Sequence, residues 1–158
     1  MSVKPIPEGQ PRIVPHLTIN GGKAKDAITF YQEAFGAELV YASEMPDGRV
    51  LHAQLRIADG VIFLNDEFRP GPEVTPGGVA INLWTEDAAG LWERAVKAGA
   101  EVQMPLMDAF WGSRYGALAD PFGHTWAVSQ QVEDVAPGEI ARRAEEWFAD
   151  MAEQGMPE

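Results

Sequence analysis

Three ionisable side chains in apolar, strand-like stretches could take part in chemistry: His16, His52 and Tyr115. The histidines lie in RIVPHLTI and GRVLHAQLRIA, and the tyrosine lies in WGSRYGALA. An imidazole and a phenol beside a bound molecule can serve as general base and general acid, which makes His52 and Tyr115 the predicted catalytic pair. A core histidine and a core tyrosine with satisfied polar atoms fit the same residues equally well, so both interpretations stay open.

The aromatic segment DAFWGSRYGALADPFGHTW, residues 108–126, predicts one wall of a binding pocket. Alternation along a strand places Trp111 and Tyr115 on one face, as a flat apolar wall with a polar tip. Arg114 then points to the other face and pairs with surface acid, unless a bulge at Gly112 turns it inward to bind a carboxylate or phosphonate. The predicted ligand-binding residues are His16, Phe63, Trp111, Arg114, Tyr115 and Trp126.

Composition limits the metal chemistry available to the chain. There is no Cys, which removes thiolate ligands, disulfides and thiol nucleophiles. His16 is the one candidate metal ligand, with His52 or Glu67 as partners, although a histidine that hydrogen-bonds to the backbone is the simpler interpretation. The sequence therefore predicts no cofactor, with a divalent metal on His16 as the alternative.

Length and charge narrow the class of protein. The 158 residues are 46% hydrophobic, which is enough for one compact domain or for two small halves sharing a core. The formal net charge of -12 argues against a nucleic-acid partner; solubility is its simpler explanation, and attraction of cationic small molecules is the alternative. No apolar run approaches a signal peptide or the roughly 20 residues of a membrane span, so we expect a cytoplasmic protein with no membrane partner.

The order of predicted elements occurs twice along the chain. In both halves a strand precedes an amphipathic helix, Gly-Ala-Glu follows the helix directly, and three strands complete the unit. The sequence therefore predicts an α+β fold of two βαβββ modules plus a C-terminal helix. The strands are expected at 12–19, 37–43, 48–58 and 60–66, then at 78–84, 101–104, 111–119 and 123–129, and the helices at 23–35 and 86–98.

These elements divide the chain into five segments. We predict an N-terminal extension (1–11), a first module (12–68), a Pro/Gly-rich linker (69–77), a second module (78–130) and a helical tail (131–158). The tail carries an apolar stripe, which we expect to cover a sheet edge or a subunit interface. Its members are Ile140, Ala144, Trp147, Phe148 and Met151.

The motifs HLTI...AITFYQEAFGAE, DGRVLHAQL and FWGSRYGALADPFGHTWAV resemble the vicinal oxygen chelate superfamily, also called the glyoxalase/bleomycin-resistance/dioxygenase superfamily, and within it the PhnB-like branch. The resemblance covers about residues 12–130. It implies paired modules whose curved mixed sheets enclose a pocket, and a homodimer, often with modules exchanged between chains. Members include metal-dependent isomerases and dioxygenases as well as metal-free proteins that sequester bleomycin.

The resemblance also implies where a metal would bind. Metal-using members take their ligands from the first and last strands of each module, and on this chain those positions hold one histidine among hydrocarbon side chains. They fall on His16, on Phe63 or Leu64, on Val79 or Ala80, and on Ala127. Catalytic sites usually need three protein ligands, so the usual metal site is predicted to be missing.

Two functions remain open from the sequence. The first is a protein that binds a small molecule in the pocket between modules without the usual metal. The alternative is an enzyme of the glyoxalase or dioxygenase type, a lyase or isomerase, which uses a relocated metal at His16 or acid-base chemistry from His52 and Tyr115.

Overall fold

The computed structural model describes residues 3–155, and it contains the predicted order of elements twice. The first module consists of β1 (His16–Ile19), α1 (Ala24–Phe35), β2 (Glu38–Glu44), β3 (Val50–Ile57) and β4 (Gly60–Asp66). The second consists of β5 (Ala80–Trp84), α2 (Ala88–Ala98), β6 (Glu101–Asp108), β7 (Ser113–Ala119) and β8 (Thr125–Gln131), and α3 (Pro137–Gln154) follows it.

Each module forms one four-stranded mixed sheet. The strand orders are β1-β4-β3-β2 and β5-β8-β7-β6, so the two sheets have the same topology. The first strand of each module pairs in parallel with the last, and the remaining pairs are antiparallel. This arrangement confirms the predicted α+β fold of two βαβββ modules with a C-terminal helix.

Two strands differ in length from the prediction because of proline. β1 begins at His16 rather than at residue 12, directly after Pro15, which has no N–H to donate to a neighbouring strand. β6 continues through Pro105 to Asp108, whereas the prediction ended at 104. β6 is an edge strand with register shifts between Val102 and Met107, and an edge strand with a bulge tolerates a proline.

The helix ends are built the same way in both modules. Gly36 and Gly99 end α1 and α2 in the left-handed conformation, with φ of 66° and 118°. At the other end, the Asp66 carboxylate accepts from the N–H of Ala24 at 2.9 Å. The Gln130 amide oxygen accepts from the N–H of Ala88, also at 2.9 Å. In each module a side chain of the last strand therefore caps the helix.

The core lies between the two sheets, around the helices. Each helix covers one face of its own sheet, and α1 and α2 also pack against each other. Leu55 and Leu118, which the repeat places at equivalent positions, are both fully buried in this core. Neither α1 nor α2 covers the opposite face of its sheet, which we call the open face.

One buried carboxylate connects the modules. Asp120 accepts from the Tyr31 hydroxyl at 2.6 Å and from the Trp126 indole N–H at 2.9 Å, both through Oδ2. Its Oδ1 accepts from the backbone N–H groups of Phe122 and His124. Burial, and the nearby Asp120 charge, raise the pKa of Tyr31, so its hydroxyl stays protonated as a donor.

No helix within residues 3–155 has both the length and the apolar character that crossing a membrane requires.

Candidate functional site

His16, His52 and Phe63 meet on the open face of the first sheet. Strand pairing places His16 beside Phe63, and the three rings form a cluster. Ring centroids are 5.7 Å apart for His16 and His52, 4.8 Å for His52 and Phe63, and 5.8 Å for His16 and Phe63. The structure therefore brings together two predicted ligand-binding residues and one predicted catalytic residue.

Polar side chains extend this face toward the sheet edge. Gln54 is paired with Phe63 on one side and with Tyr41 on the other, and Ser43 is paired with His52. The Tyr41 side chain is 57% exposed. Sequence reasoning missed Gln54, although its position two residues after His52 in a strand puts both side chains on one face.

The pKa of His52 lies below its usual value. Partial burial of the imidazole is the larger cause, and the nearby His16 ring is the smaller one, because a positive charge on one ring disfavours a second. His52 is therefore neutral at pH 7 and can accept a proton or a hydrogen bond from a bound molecule.

The residues at the expected metal positions do not form a metal site. In the first module, His16 of the first strand pairs with Phe63 of the last strand. In the second module, the corresponding pair is Asn82 and Ala127. The equivalent of His16 is therefore Asn82, and the predicted positions Val79 and Ala80 were wrong. Within residues 3–155, no three His, Asp or Glu side chains are placed to share an ion.

Glu67, the other proposed partner of His16, is bound elsewhere. Its carboxylate accepts from Arg69, both from the backbone N–H at 2.7 Å and from the guanidinium. Glu67 also directly follows Asp66, the last residue of β4. Asp66 pairs with Ile19, which is at the opposite end of β1 from His16.

The open face of the second sheet carries the predicted aromatic wall. Tyr115 is paired with Ser129 and with Met107, and its ring centroid lies 5.6 Å from that of Trp111. Met104 and Met107 of the neighbouring strand β6 are 45% and 54% exposed. This face offers flat and flexible apolar side chains to a bound molecule.

Arg114 and Trp126 lie away from this wall. The Arg114 guanidinium points to the opposite side from Tyr115, where its Nε donates to Asp108 at 2.8 Å. Trp126 is 1% exposed and faces the core, with its indole N–H bound to Asp120. Of the residues predicted from the aromatic segment, only Trp111 and Tyr115 therefore share the open face.

The aromatic wall continues onto α3. Centroid distances are 5.0 Å from Trp111 to Phe110, 5.7 Å from Phe110 to Trp147 and 5.0 Å from Trp147 to Phe148. Arg143 holds the helix in this position by donating to the Phe110 carbonyl and to Glu133. The predicted apolar stripe of the tail thus lies beside the end of the second sheet.

The predicted catalytic pair is split between the two sheets. His52 lies on the open face of the first sheet and Tyr115 on that of the second. The modules also border a hollow of about 390 Å³ that contains His16, Ile81 and His124. His124 makes a hydrogen-bond contact with the Thr18 carbonyl at 3.1 Å, so it connects the modules rather than standing free.

The model of the Glyoxalase/Bleomycin resistance protein/Dioxygenase superfamily matches residues 13–128 of the chain. The chain belongs to this superfamily. The match ends before α3, so the helical tail is an addition to the shared fold.

Several proteins are similar to this member of the superfamily. Mb0911c of Mycobacterium bovis is 41% identical over 139 residues, which is 83% of this chain and 90% of that protein. The crystal structure of PA1353 from Pseudomonas aeruginosa gives a TM-score of 0.66 at 28% identity and covers 77% of this chain and 98% of that one. The PhnB protein from Bacillus cereus, at 21% identity and a TM-score of 0.58, covers 76% of this chain and 99% of its own and shows the same fold.

Proposed function

We propose that this protein binds an aromatic, cationic small molecule between its modules and does so without the usual metal of its superfamily. The observation that carries the proposal is the pair of open faces, which present ring systems and, on the second sheet, exposed methionines. The His16, His52 and Phe63 cluster forms one wall and the Trp111 and Tyr115 pair forms the other. The net charge of -12 favours a cationic guest.

A homodimer would complete the site. Each open face carries apolar or aromatic side chains that remain exposed in the single chain, including Tyr41 and Met107. A second copy could place its second sheet opposite the first sheet of this chain, which would bring His52 and Tyr115 to one guest. We therefore propose a homodimer with the site between one module of each chain.

Isothermal titration with bleomycin tests the binding function. We expect saturable heat, and about fivefold weaker binding in Tyr115→Ala, because an aromatic contact contributes about 1 kcal/mol beyond its buried area. Phe68→Ala is the matched control, because Phe68 is 45% exposed and lies outside both open faces. No heat at high protein concentration, or equal losses in both variants, would remove this class of ligand.

The second candidate function is acid-base catalysis, which the neutral His52 favours. His52 would take a proton from a substrate and the Tyr115 hydroxyl of the second chain would donate one. Metal analysis of protein purified without chelator distinguishes both candidate functions, metal-free binding and acid-base catalysis, from the function of a metalloenzyme. A stoichiometric ion that disappears in His16→Ala would contradict both proposals.

A further inference from the structure

The side of the second sheet that faces the core is incompletely covered at its edge strand. Ile81 and Leu83 of β5 pair with Trp126 and Val128, which are 1% and 0% exposed. Ile81 and Leu83 nevertheless remain only half-buried, although they lie on the same side of the sheet. The core is therefore open beside β5.

This opening is a cavity of about 390 Å³ between the modules. Its walls are the β3–β4 hairpin, the N-terminal segment before β1, and β5. Most of its lining is hydrocarbon, including Ile57, Ile62 and Leu83, and the volume lies in the range of small-molecule sites. Its apolar walls belong to the core side of the sheets, whereas Asn82 and Trp84 reach its mouth from the open side of β5, so the cavity adjoins the open face of the second sheet at this edge.

An indole is held at the mouth of this cavity. Trp84 ends β5 and is 57% exposed. With the Asn82 amide oriented to satisfy all its neighbours, the amide oxygen accepts from the Trp84 N–H at 3.1 Å and its nitrogen donates to Ser129 and to the Ala127 carbonyl. The hydrogen bond fixes the ring and leaves its face to solvent, as a cation-binding aromatic requires.

The charged residues that line the cavity and the hollow beside it are all acidic. Asp59 borders the cavity, and Glu86 and Asp87 border a shallow hollow that adjoins it through Ala58 and Trp84. Among residues 3–155, no lysine or arginine lines either space. An anionic guest is therefore disfavoured, and a cation beside Trp84 meets complementary charge.

We propose that this cavity binds a small hydrophobic amine. The apolar body fills the space against Ile57, Ile62 and Leu83, and the ammonium group lies at the mouth between the Trp84 ring and the Asp59 carboxylate. Two features of the cavity support this occupant over others: the apolar walls match the hydrocarbon body, and the Trp84 ring with the Asp59 carboxylate matches the cation.

The experiment compares three probes of one shape and different charge: 2-phenylethylammonium, 2-phenylethanol and 3-phenylpropionate. The reporter is the indole N–H signal of Trp84 in the intact protein, identified by its absence in Trp84→Phe. We expect the cation to shift this signal saturably, the alcohol to do so at higher concentration, and the anion to leave it unchanged.

Asp59→Asn and Glu33→Gln provide matched charge variants. Both remove one negative charge, but only Asp59 borders the cavity, whereas Glu33 is exposed on α1. Removing Asp59 should weaken binding of 2-phenylethylammonium roughly two- to fivefold, as expected for an exposed ion pair, while Glu33→Gln leaves it unchanged.

Four results would overturn the proposal. They are equal affinity for the cation and the alcohol, equal weakening in both charge variants, a Trp84 signal that no probe shifts, and a Trp84 signal that depends on protein concentration alone. The last result would mean that a second copy of the chain covers the cavity.

Discussion

At the scale of single residues, two imidazoles share one open face, and His16 affects the protonation of His52. His52 is partly buried beside His16 at a ring separation of 5.7 Å, and both facts lower its pKa. A neutral imidazole is an acceptor at physiological pH, so this pair favours a guest that donates hydrogen bonds.

The contribution of His16 to the His52 pKa can be measured by NMR. In the native protein we expect the His52 ring to titrate below the ordinary value of about 6.5. In His16→Gln its pKa should rise, because the neighbouring charge is gone, yet it should stay below that value, because burial remains. A variant in which the His52 pKa falls or does not change would contradict the assignment of His16 as the interacting charge.

The same shift has a consequence for stability. Below pH about 6.5 the unfolded chain binds a proton at His52 before the folded chain does, so stability is lost as pH falls through that value. The difference in free energy of unfolding between pH 7 and pH 5.5, measured with urea, should therefore be smaller in His52→Gln than in the native protein. A larger difference in the variant would reverse the sign we assign.

At the scale of elements, the sequence was sufficient for the fold and for half of the aromatic wall. Alternation and helix-ending glycines predicted both modules, because these are local signals in each element. Pro15 indicated an edge position or an irregular start for the first strand, and β1 is an edge strand that begins after it, whereas the continuation of β6 through Pro105 was not predicted. Trp126 was assigned to ligand binding because the sequence of β8 does not show which of its two faces meets the core.

The connection from β8 to α3 depends on Gly112. This residue has φ of 91°, and a Cβ there would lie 2.5 Å from the Glu133 carbonyl oxygen. Its own carbonyl accepts from the N–H groups of Val132 and Glu133. We expect Gly112→Ala to lower the free energy of unfolding by about 1–3 kcal/mol. Alanine is strained at this φ, and its Cβ would collide with the Glu133 carbonyl oxygen.

Gly138→Ala is the control for that substitution. Gly138 lies in the first turn of α3, where a Cβ meets no atom within 4 Å. Alanine should therefore be neutral or stabilising by up to about 1 kcal/mol, as in other helices. Urea denaturation measures both variants, and equal destabilisation would show that the contact at Gly112 is not the cause.

At the scale of the whole molecule, Asp120 is the buried polar link between the two modules, beside the partly buried contact of His124 with the Thr18 carbonyl. It receives the Tyr31 hydroxyl from α1 and the Trp126 indole from β8. Its bonds from the backbone N–H groups of Phe122 and His124 are local and cap the turn that follows β7. The bond to Tyr31 could not be predicted, because the two residues are 89 positions apart and nothing local connects them.

Tyr31→Phe should destabilise the protein by about 1.5–3 kcal/mol, the usual contribution of a hydrogen bond to a charged group. Tyr41→Phe is the control, because Tyr41 is 57% exposed. Urea denaturation at pH 7 makes the comparison. Equal stability of Tyr31→Phe and the native protein would mean that Asp120 finds another donor at no cost.

The raised pKa of Tyr31 also predicts how stability changes in alkali. Above pH about 10 the unfolded chain releases the tyrosine proton while the folded chain retains it, so the free energy of unfolding falls as pH rises. This part of the loss should be absent in Tyr31→Phe and present in Tyr41→Phe. An unchanged alkaline slope in Tyr31→Phe would contradict the prediction.

The caps on α1 and α2 are each supplied from within one module. Each helix start and the side chain that caps it are separated by 42 residues, from Ala24 to Asp66 and from Ala88 to Gln130. The spacing is the same in both halves, although one cap is the Asp66 carboxylate and the other is the Gln130 amide. Each module therefore closes its own helix with its own last strand, so this part of the fold needs no contribution from the other half.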